Sequence, residues 1–392
     1  MNKQIKYILL IFLVSFNLRL GIASVPPILA QIKNSLELTN LEASLLTSIP
    51  VVCMGVLAFF VSSIQQKLGR KYGVFIFLIL LGFSISGRAF AANYYLLILT
   101  AFLIGFAIAI IGPLLSGFIK EEFPNKSGLL IGFYSLGMGL GAVCASSFMI
   151  LITNFFDGSW QYSLAVWGIF AVITALLWLF FVPTQQEHSL KEKEQSETVR
   201  THLKNPKLWQ MILFFGIQSG IFYSITTWIP DFLLHKGLTP TASALQLTLF
   251  TAVQMTFSFI IPTMMDRFGR LGQWLTGCCL FMFGAVLLFL FCNGEFFMTI
   301  GTILTAISLG GLFPIAMLLP LQSSSNAVEA SIWTSLVQAF GYIIGGIIPS
   351  IIGLLVDQSG SYSFLFWFVA AGTILLLLTG LKDGKQRVTA HE

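Results

Sequence analysis

Long apolar runs, separated by short polar breaks, dominate the chain. Each run has about 20 residues or more, which is the length that an α-helix needs to cross a bilayer. The pattern predicts twelve spans, at approximately 7–30, 41–66, 72–92, 94–119, 127–154, 160–183, 207–230, 241–265, 271–293, 296–320, 329–356 and 361–381. The fold class that follows is an all-α integral membrane protein.

The composition supports this fold class and excludes others. Of the 392 residues, 56% are hydrophobic and 9% are charged, whereas a soluble domain carries about 25% charged residues. The five cysteines lie in apolar runs without metal-ligand spacing, so we expect neither disulfides nor a metal. The sequence contains no P-loop and no nucleophile–base cluster, so we expect no cofactor, no enzyme activity and no ATP-driven pumping.

The basic residues predict the orientation of the chain. With a cytoplasmic N-terminus, nearly all Lys and Arg residues outside the spans fall in cytoplasmic segments, and only Lys33 and Lys236 fall outside. The positive-inside rule therefore places both termini in the cytoplasm of a multi-pass protein of the cytoplasmic membrane. The net charge of +5 reflects this topology and does not indicate a nucleic-acid partner.

A polar segment divides the chain into two halves of six spans each. We predict an N-terminal six-helix bundle (1–183), a cytoplasmic linker (184–206), a C-terminal six-helix bundle (207–381) and a cytoplasmic tail (382–392). The halves are pseudo-symmetric, because ELTNLEASLL (37–46) aligns with GLTPTASALQ (237–246) at a shift of 200 residues. Two parallel six-span repeats are typical of secondary transporters, with the substrate site between the halves near the midplane.

Two loops carry a family resemblance. The loop DRFGR (266–270) resembles the cytoplasmic loop motif of the major facilitator superfamily, and QKLGRK (66–71) resembles it except that Gln66 replaces the acid. The resemblance implies a cytoplasmic gate, although the missing acid leaves the role of the first loop open. The alternative is that these basic residues only set the topology. The candidate gating residues are Gly69, Arg70, Asp266, Arg267, Gly269 and Arg270.

Four further stretches resemble the cyanate/2-nitroimidazole transporter-like family within that superfamily. They are FNLRLGIASVPP (16–27), LLTSIPVVCMG (45–55), IKEEFPNKSGLLIGFYSLGMGLGA (119–142) and GIQSGIFYSITTWIPDFLLHKGLT (216–239). They fall in both halves of the chain. The resemblance implies transport of a small anionic or polar compound.

Two arginines lie inside predicted spans. Arg19 is about 18 Å into the first span, close to the midplane, where a charge costs at least about 3 kcal/mol. We expect it to bind an anionic substrate; the alternative is that it binds carbonyls of a broken neighbouring helix. Arg88 lies deep in span 3. It either extends to the outer interface or reaches inward and forms a two-arginine clamp with Arg19.

Other polar side chains in the spans that form the cavity are candidates for substrate contact. Each of them is equally suited to hydrogen bonds between helices, and Asn17 in particular is suited to bridge to a neighbouring helix. Acids such as Asp231 lie near helix ends, within reach of water. The candidates are Asn17, Tyr134, Gln218, Tyr223, Gln254, Gln338 and Tyr342.

Glycines recur at intervals of four residues in spans 5 and 11. The stretches are GLLIGFYSLGMGLGA (128–142) and AFGYIIGGIIPS (339–350). Small residues at this spacing permit close helix contact. We expect these two spans to pack against the opposite half and to move against it.

These observations predict a secondary active or facilitative transporter of a small organic or inorganic anion. Transport proceeds by alternating access, with Arg19 at the substrate site. The alternative is an efflux transporter for small neutral or aromatic compounds such as nitroimidazole-like molecules. We expect a monomer whose partners are the substrate and the lipid bilayer.

Overall fold

The computed structural model describes residues 3–123, 127–183, 202–269, 271–324 and 327–388. All regular elements in these ranges are helices. The chain forms two compact units, Met1–Leu190 and Lys191–Glu392, and the division between them falls inside the predicted linker. All five cysteines are free thiols.

The described residues of the first unit form eight α-helices. Short 3₁₀ turns at Pro26–Ile28, Leu57–Phe60 and Gly87–Phe90 connect some of them. The helices are α1 (Lys3–Ala23), α2 (Leu29–Ser35), α3 (Asn40–Val56), α4 (Val61–Ser86), α5 (Tyr94–Glu122), α6 (Ser127–Phe155), α7 (Trp160–Ala165) and α8 (Gly168–Phe181).

The described residues of the second unit form six α-helices. Pro206 and Pro240 each occupy the first helical turn, where the missing N–H of proline would have no partner in any case. The helices are α9 (Pro206–His235), α10 (Pro240–Phe268), α11 (Leu271–Phe291), α12 (Glu295–Ser323), α13 (Ala327–Ser359) and α14 (Ser363–Val388).

Eleven described segments are long and apolar enough to cross a membrane. One of them, Asn40–Phe90, has 51 residues, which would extend about 77 Å as a single helix, more than twice the bilayer core. The backbone of Gly69 interrupts it, with φ 69° and ψ 167°. The segment therefore contains two of the predicted spans, and the predicted all-α membrane fold is confirmed.

The two units repeat one another at the start of their second spans. Thr39 caps α3 by accepting a hydrogen bond from the backbone N–H of Glu42, and Thr239 caps α10 by accepting one from Ala242. The two threonines lie 200 residues apart, at the shift that aligns the sequences. Only the first unit adds the reciprocal bond of a capping box, from the backbone N–H of Thr39 to Glu42 (2.9 Å).

Backbone conformation repeats at the same shift. Glu37 and Gly237 both have positive φ angles, 52° and 90°, and Gly69 and Gly269 have φ angles of 69° and 63°. The ψ values of these last two glycines, 167° and −152°, place them in a region that is essentially restricted to glycine. The repeat predicted from a few identities is thus also a repeat of local geometry.

Glycines of α6 pack against α1 in the same unit. A Cβ at Gly137 would overlap the Oγ of Ser15 and the carbonyl oxygen of Phe12, and one at Gly141 would overlap the carbonyl of Phe16. The two backbones are close because no side chain lies between them. These glycines therefore join two helices of one unit, and the packing of span 5 against the opposite half stays a prediction.

The glycines of α13 behave in the same way in the second unit. A Cβ at Gly341 would overlap the ring of Phe215 on α9, and one at Gly345 would lie 2.7 Å from the Cβ of Ser219. Small residues here again join two helices of one unit. The packing of span 11 against the opposite half likewise stays a prediction.

Candidate functional site

Arg19 lies in α1 between two buried leucines. Leu18 and Leu20 are 2% and 0% exposed, whereas Arg19 itself is half-buried. Its guanidinium interacts electrostatically with the hydroxyl of Tyr134 on α6. Arg19 and Tyr134 thus belong to two helices that pack on one another.

Tyr134 is half-buried and its hydroxyl approaches a third helix. The oxygen lies 3.6 Å from the position that a Cβ would take at Gly112 on α5. The phenol therefore reaches α5, and even a Cβ at Gly112 would only be in ordinary van der Waals contact with it. Arg19, Tyr134 and Gly112 form what we call the Arg19 cluster. It combines a guanidinium, which only donates, with a hydroxyl that donates or accepts, a set suited to an electronegative ligand.

Arg88 is fully buried, at 0% exposure. Its Nη1 donates to the carbonyl oxygen of Gly21 (2.9 Å), and its Nε lies 3.4 Å from the Oγ1 of Thr100. The side chain therefore does not extend to the outer interface. It reaches inward, and the contact that it makes is with the backbone of α1.

The break at the end of α1 explains why the Gly21 carbonyl accepts this bond. The N–H of Val25 would bond Gly21 in a continuing helix, but it bonds the carbonyl of Ile22 instead (3.3 Å). The chain tightens there into the 3₁₀ turn Pro26–Ile28. Arg88 thus caps a carbonyl that the break sets free. Binding to the carbonyls of a broken neighbouring helix was the alternative role considered for Arg19.

Asn17 bridges two helices of the first unit. It is 1% exposed, and its Nδ2 donates to the carbonyl of Leu13 (2.8 Å) and to the Oγ1 of Thr174 on α8 (3.0 Å). Asn17 therefore forms the bridge to a neighbouring helix that was considered as the alternative to substrate contact. Substrate contact by Asn17 stays a prediction.

The candidates on α9 and α10 lie in apolar surroundings. Gln218 and Tyr223 are 1% and 4% exposed, and the Oε1 of Gln218 accepts from Ser219 (3.4 Å). Gln254 is half-buried and its Nε2 donates to Ser258, one turn along α10 (3.2 Å). These contacts are local, so the roles of the three residues remain predictions.

The candidates on α13 are half-buried, one turn apart. The Nε2 of Gln338 lies 3.3 Å from the Sδ of Met317 on α12, which is a weak acceptor. The ring of Tyr342 packs edge-on against Phe215 at a centroid distance of 5.1 Å. Substrate contact by Gln338 and Tyr342 stays a prediction.

In the first predicted gate, Arg70 forms an ion pair with Glu121 at the end of α5. With the Gln65 amide oriented so that its oxygen faces Arg70, this oxygen accepts from Nε (3.2 Å) and Nη2 (3.1 Å). Arg70 also lies over Gly117, 3.2 Å from the position of a Cβ. The acid that is missing at Gln66 is therefore supplied by a neighbouring helix.

The second predicted gate is partly described. Arg267 is exposed, and its Cζ lies 5.5 Å from the ring centroid of Phe268. Gly269 ends α10 with its positive φ angle. Arg270 and the side chain of Asp266 lie outside the described residues, so their gating roles remain predictions.

A buried acid on α9 bonds a tyrosine in the turn before α14. The hydroxyl of Tyr362 donates to Oδ2 of Asp231 (2.5 Å), and Asp231 is 8% exposed. Burial, and next the negative charge of Asp231, raise the pKa of Tyr362 above its ordinary value. The expectation that Asp231 is within reach of water is therefore wrong.

Comparison with known families identifies the chain. Residues 11–345 match the sequence model of the Major Facilitator Superfamily. The chain belongs to the major facilitator superfamily. The predicted membership of this superfamily is thus confirmed, and the chain is a multi-pass membrane transporter.

Several members of the superfamily are similar over nearly the whole chain. The cyanate transport protein of Escherichia coli is 28% identical, covering 96% of each chain. The 2-nitroimidazole transporter of E. coli is 27% identical, covering 96% of this chain and 95% of its own. The nitrite extrusion protein of Bacillus subtilis is 25% identical, covering 86% and 84%. These matches confirm the predicted branch.

Solved structures agree on the fold. The crystal structure of a D-xylose–proton symporter has a TM-score of 0.81 with 15% identity, and the match covers 97% of both chains. At this identity the likeness shows the fold alone. Among the residues that the structure describes, no group of three or more His, Cys, Asp and Glu side chains is placed to hold a metal ion.

Proposed function

We propose that this major facilitator transporter moves a small anion and that the Arg19 cluster binds it. The observation that carries the proposal is a half-buried guanidinium within an apolar membrane helix, in the neighbourhood of the Tyr134 hydroxyl. A charge at this depth is costly, and functional roles are the usual reason for its presence. An anion that binds there offsets part of that cost.

The chemistry of the cluster favours a small, planar or linear ligand. A guanidinium presents its donors in a flat fork that fits two oxygens of one group. The Tyr134 hydroxyl adds one donor at an angle to that fork. Carboxylates, nitrite, nitrate and cyanate all offer acceptor atoms that these donors fit.

The relatives support this substrate class. The names of two of them refer to cyanate and nitrite, which are small anions. The third is a transporter of 2-nitroimidazole, which is neutral but carries a nitro group with two oxygens. A guanidinium that recognises electronegative acceptor atoms is compatible with all three ligands.

We further propose that Arg70 contributes to the cytoplasmic gate of the alternating-access cycle. Its partners, Glu121 and Gln65, come from two different helices. An ion pair that joins two helix ends breaks and reforms when these ends separate. Gln65 and Glu121 thus replace the acid that the motif lacks at Gln66.

Efflux of small neutral nitro compounds is the second candidate. It is favoured by the 27% identity to the 2-nitroimidazole transporter over 96% of the chain. In this case Arg19 polarises the nitro group, and the substrate brings no negative charge to balance that of Arg19. The two candidates differ in whether binding requires a ligand charge.

The test is ligand-dependent thermal stabilisation of the purified protein. Cyanate, nitrite, nitrate, formate and 2-nitroimidazole are titrated against wild type, Arg19→Gln and Lys120→Gln. Lys120 is the matched control, because it is exposed and its loss removes the same charge. A ligand that binds the folded state at 100 times its Kd stabilises it by about 2.7 kcal/mol.

We expect at least one anion to stabilise wild type and Lys120→Gln but not Arg19→Gln. Loss of the charge-assisted hydrogen bonds predicts a fall in affinity of at least about tenfold. Equal stabilisation of all three proteins by the anions would contradict a role for Arg19. Stabilisation by 2-nitroimidazole alone would favour the efflux candidate.

A further inference from the structure

An apolar cleft opens in the second unit between α10 and α11. These helices are consecutive, yet each packs mainly on α12 and they hardly touch one another. The cleft between them has a volume of about 770 Å³. Its walls include Phe257, Ile260 and Met264 of α10, and Trp274, Gly277 and Phe281 of α11.

The length of the cleft corresponds to one bilayer leaflet. Its α10 wall runs from Phe257 to Phe268, about 16 Å at the helical rise per residue. Half of the hydrocarbon core of a bilayer is about 15 Å. Ile260, Met264 and Phe281 are exposed large apolar side chains, so the cleft opens sideways toward the region that lipid occupies.

One end of the cleft carries a positive charge. Phe268 forms the wall at this end, and the guanidinium of Arg267 lies over its ring at 5.5 Å. Gln273 and Trp274, at the start of α11, line the same end. Tryptophan next to a cation is typical of the level of lipid headgroups.

We propose that this cleft binds one phospholipid with an anionic headgroup. The acyl chain lies along the apolar walls, and the phosphate binds the guanidinium of Arg267. The apolar lining and the depth of one leaflet fit an acyl chain, and the charge at the open end fits an anionic headgroup. The proposal depends on the membrane fold and is independent of which substrate Arg19 binds.

The lipid would act on the loop of the second predicted gate. Phe268 and Gly269 line the cleft and also belong to the α10–α11 turn. A chain that fills the cleft stabilises the separation of α10 and α11. A gating movement of the turn would require a change in this separation. Such a movement therefore depends on the lipid.

Trp274 provides the readout, through quenching by brominated lipids. Brominated phosphatidylglycerol or phosphatidylcholine is titrated into the full-length protein in detergent micelles at low mole fraction. The Trp274 signal is the difference between wild type and Trp274→Phe. Trp367 is the matched control, because it is an exposed membrane-helix tryptophan on α14, outside the cleft, and Trp367→Phe gives its signal.

We expect the quenching of Trp274 to saturate. The quenching of Trp367 should instead rise in proportion to the mole fraction of brominated lipid. Half-saturation should require about fivefold less phosphatidylglycerol than phosphatidylcholine, the effect of one basic residue on an anionic lipid. Arg267→Gln should remove this fivefold preference. Gly277→Leu should abolish the saturable component, since a Cβ at Gly277 meets nothing within 4 Å and the leucine enters the cleft.

Other results would overturn the proposal. Linear quenching of Trp274, equal to that of Trp367 and unchanged in Gly277→Leu, would show that no lipid binds in the cleft. Absence of quenching together with dimerisation would assign the cleft to a second copy of the chain. Saturable quenching without a headgroup preference, in wild type and Arg267→Gln alike, would overturn the anionic headgroup.

Discussion

Arg88→Met would remove the guanidinium that connects the C-terminal end of α1 to the neighbouring helices. Methionine is apolar and of similar length, so it fills much of the same space. The change removes the 2.9 Å bond from Nη1 to the carbonyl of Gly21 and the longer contact with Thr100. Thr100 keeps its own bond to the carbonyl of Leu97 (2.7 Å), so the principal loss falls on Gly21.

The magnitude follows from two opposing effects. A hydrogen bond from a charged donor contributes about 1.5–3 kcal/mol, and a buried carbonyl without a partner costs about 1–3 kcal/mol. Against this, methionine removes a buried charge whose desolvation costs several kcal/mol. Since only one partner is replaced and the carbonyl stays buried, we expect the free energy of unfolding to fall by about 1–3 kcal/mol.

The assay is thermal unfolding in detergent, with two matched variants. Arg88→Lys retains the charge and one donor for Gly21, so it should lose less stability than Arg88→Met. Thr100→Val removes only the 3.4 Å contact and should lose less than about 1 kcal/mol. The expected order of stability is therefore Thr100→Val, then Arg88→Lys, then Arg88→Met.

The same variants test whether the cap also positions Arg19. Gly21 follows Arg19 by two residues, so a frayed end of α1 would displace the guanidinium. Arg88→Met should then weaken ligand stabilisation, and Arg88→Lys should restore part of it. A melting temperature of Arg88→Met equal to or above that of wild type would refute the capping role, because desolvation would then outweigh the lost bond.

Two further predictions concern backbone and hydrogen bonding. Gly69→Ala and Gly269→Ala should each lower the free energy of unfolding by about 1–3 kcal/mol, because their backbone conformations are restricted to glycine. The control is Gly132→Ala, which lies in a helix with open space around it and should change the free energy of unfolding little. Equal effects of all three variants would contradict this prediction. Tyr362→Phe should cost about 1.5–3 kcal/mol by removing the donor to Asp231. Because the pKa of Tyr362 is raised by burial and by Asp231, its contribution is present below the ordinary tyrosine pKa of about 10 and is lost above it. Wild type should therefore lose more stability than Tyr362→Phe between pH 9 and about 11, and parallel pH profiles would contradict the assignment.

The sequence by itself determined the membrane fold and its repeat. The apolar runs predict the spans because a bilayer core demands about 20 apolar residues per crossing, wherever the neighbouring helices lie. The Thr39 and Thr239 caps and the turns at Gly69 and Gly269 depend on residues within a few positions of each other. Such local features can be read along the chain.

The partners of the polar and small side chains were decided by tertiary structure. Gly137 could have met any helix, and only the packing of α6 on α1 directs it to Ser15. Hydropathy does not indicate the direction of a helix face, because lipid and protein interior are similarly apolar.

The same reason explains the contacts that sequence reasoning missed. Arg88 contacts Gly21 only because the break in α1 frees a carbonyl opposite it, and Glu121 reaches Arg70 only because α5 ends beside the turn. Arg19 and Tyr134 were both visible as polar residues in apolar runs, whereas their proximity to each other and to Gly112 required three packed helices. Contacts between distant segments depend on distances and angles between helices, which local sequence does not encode.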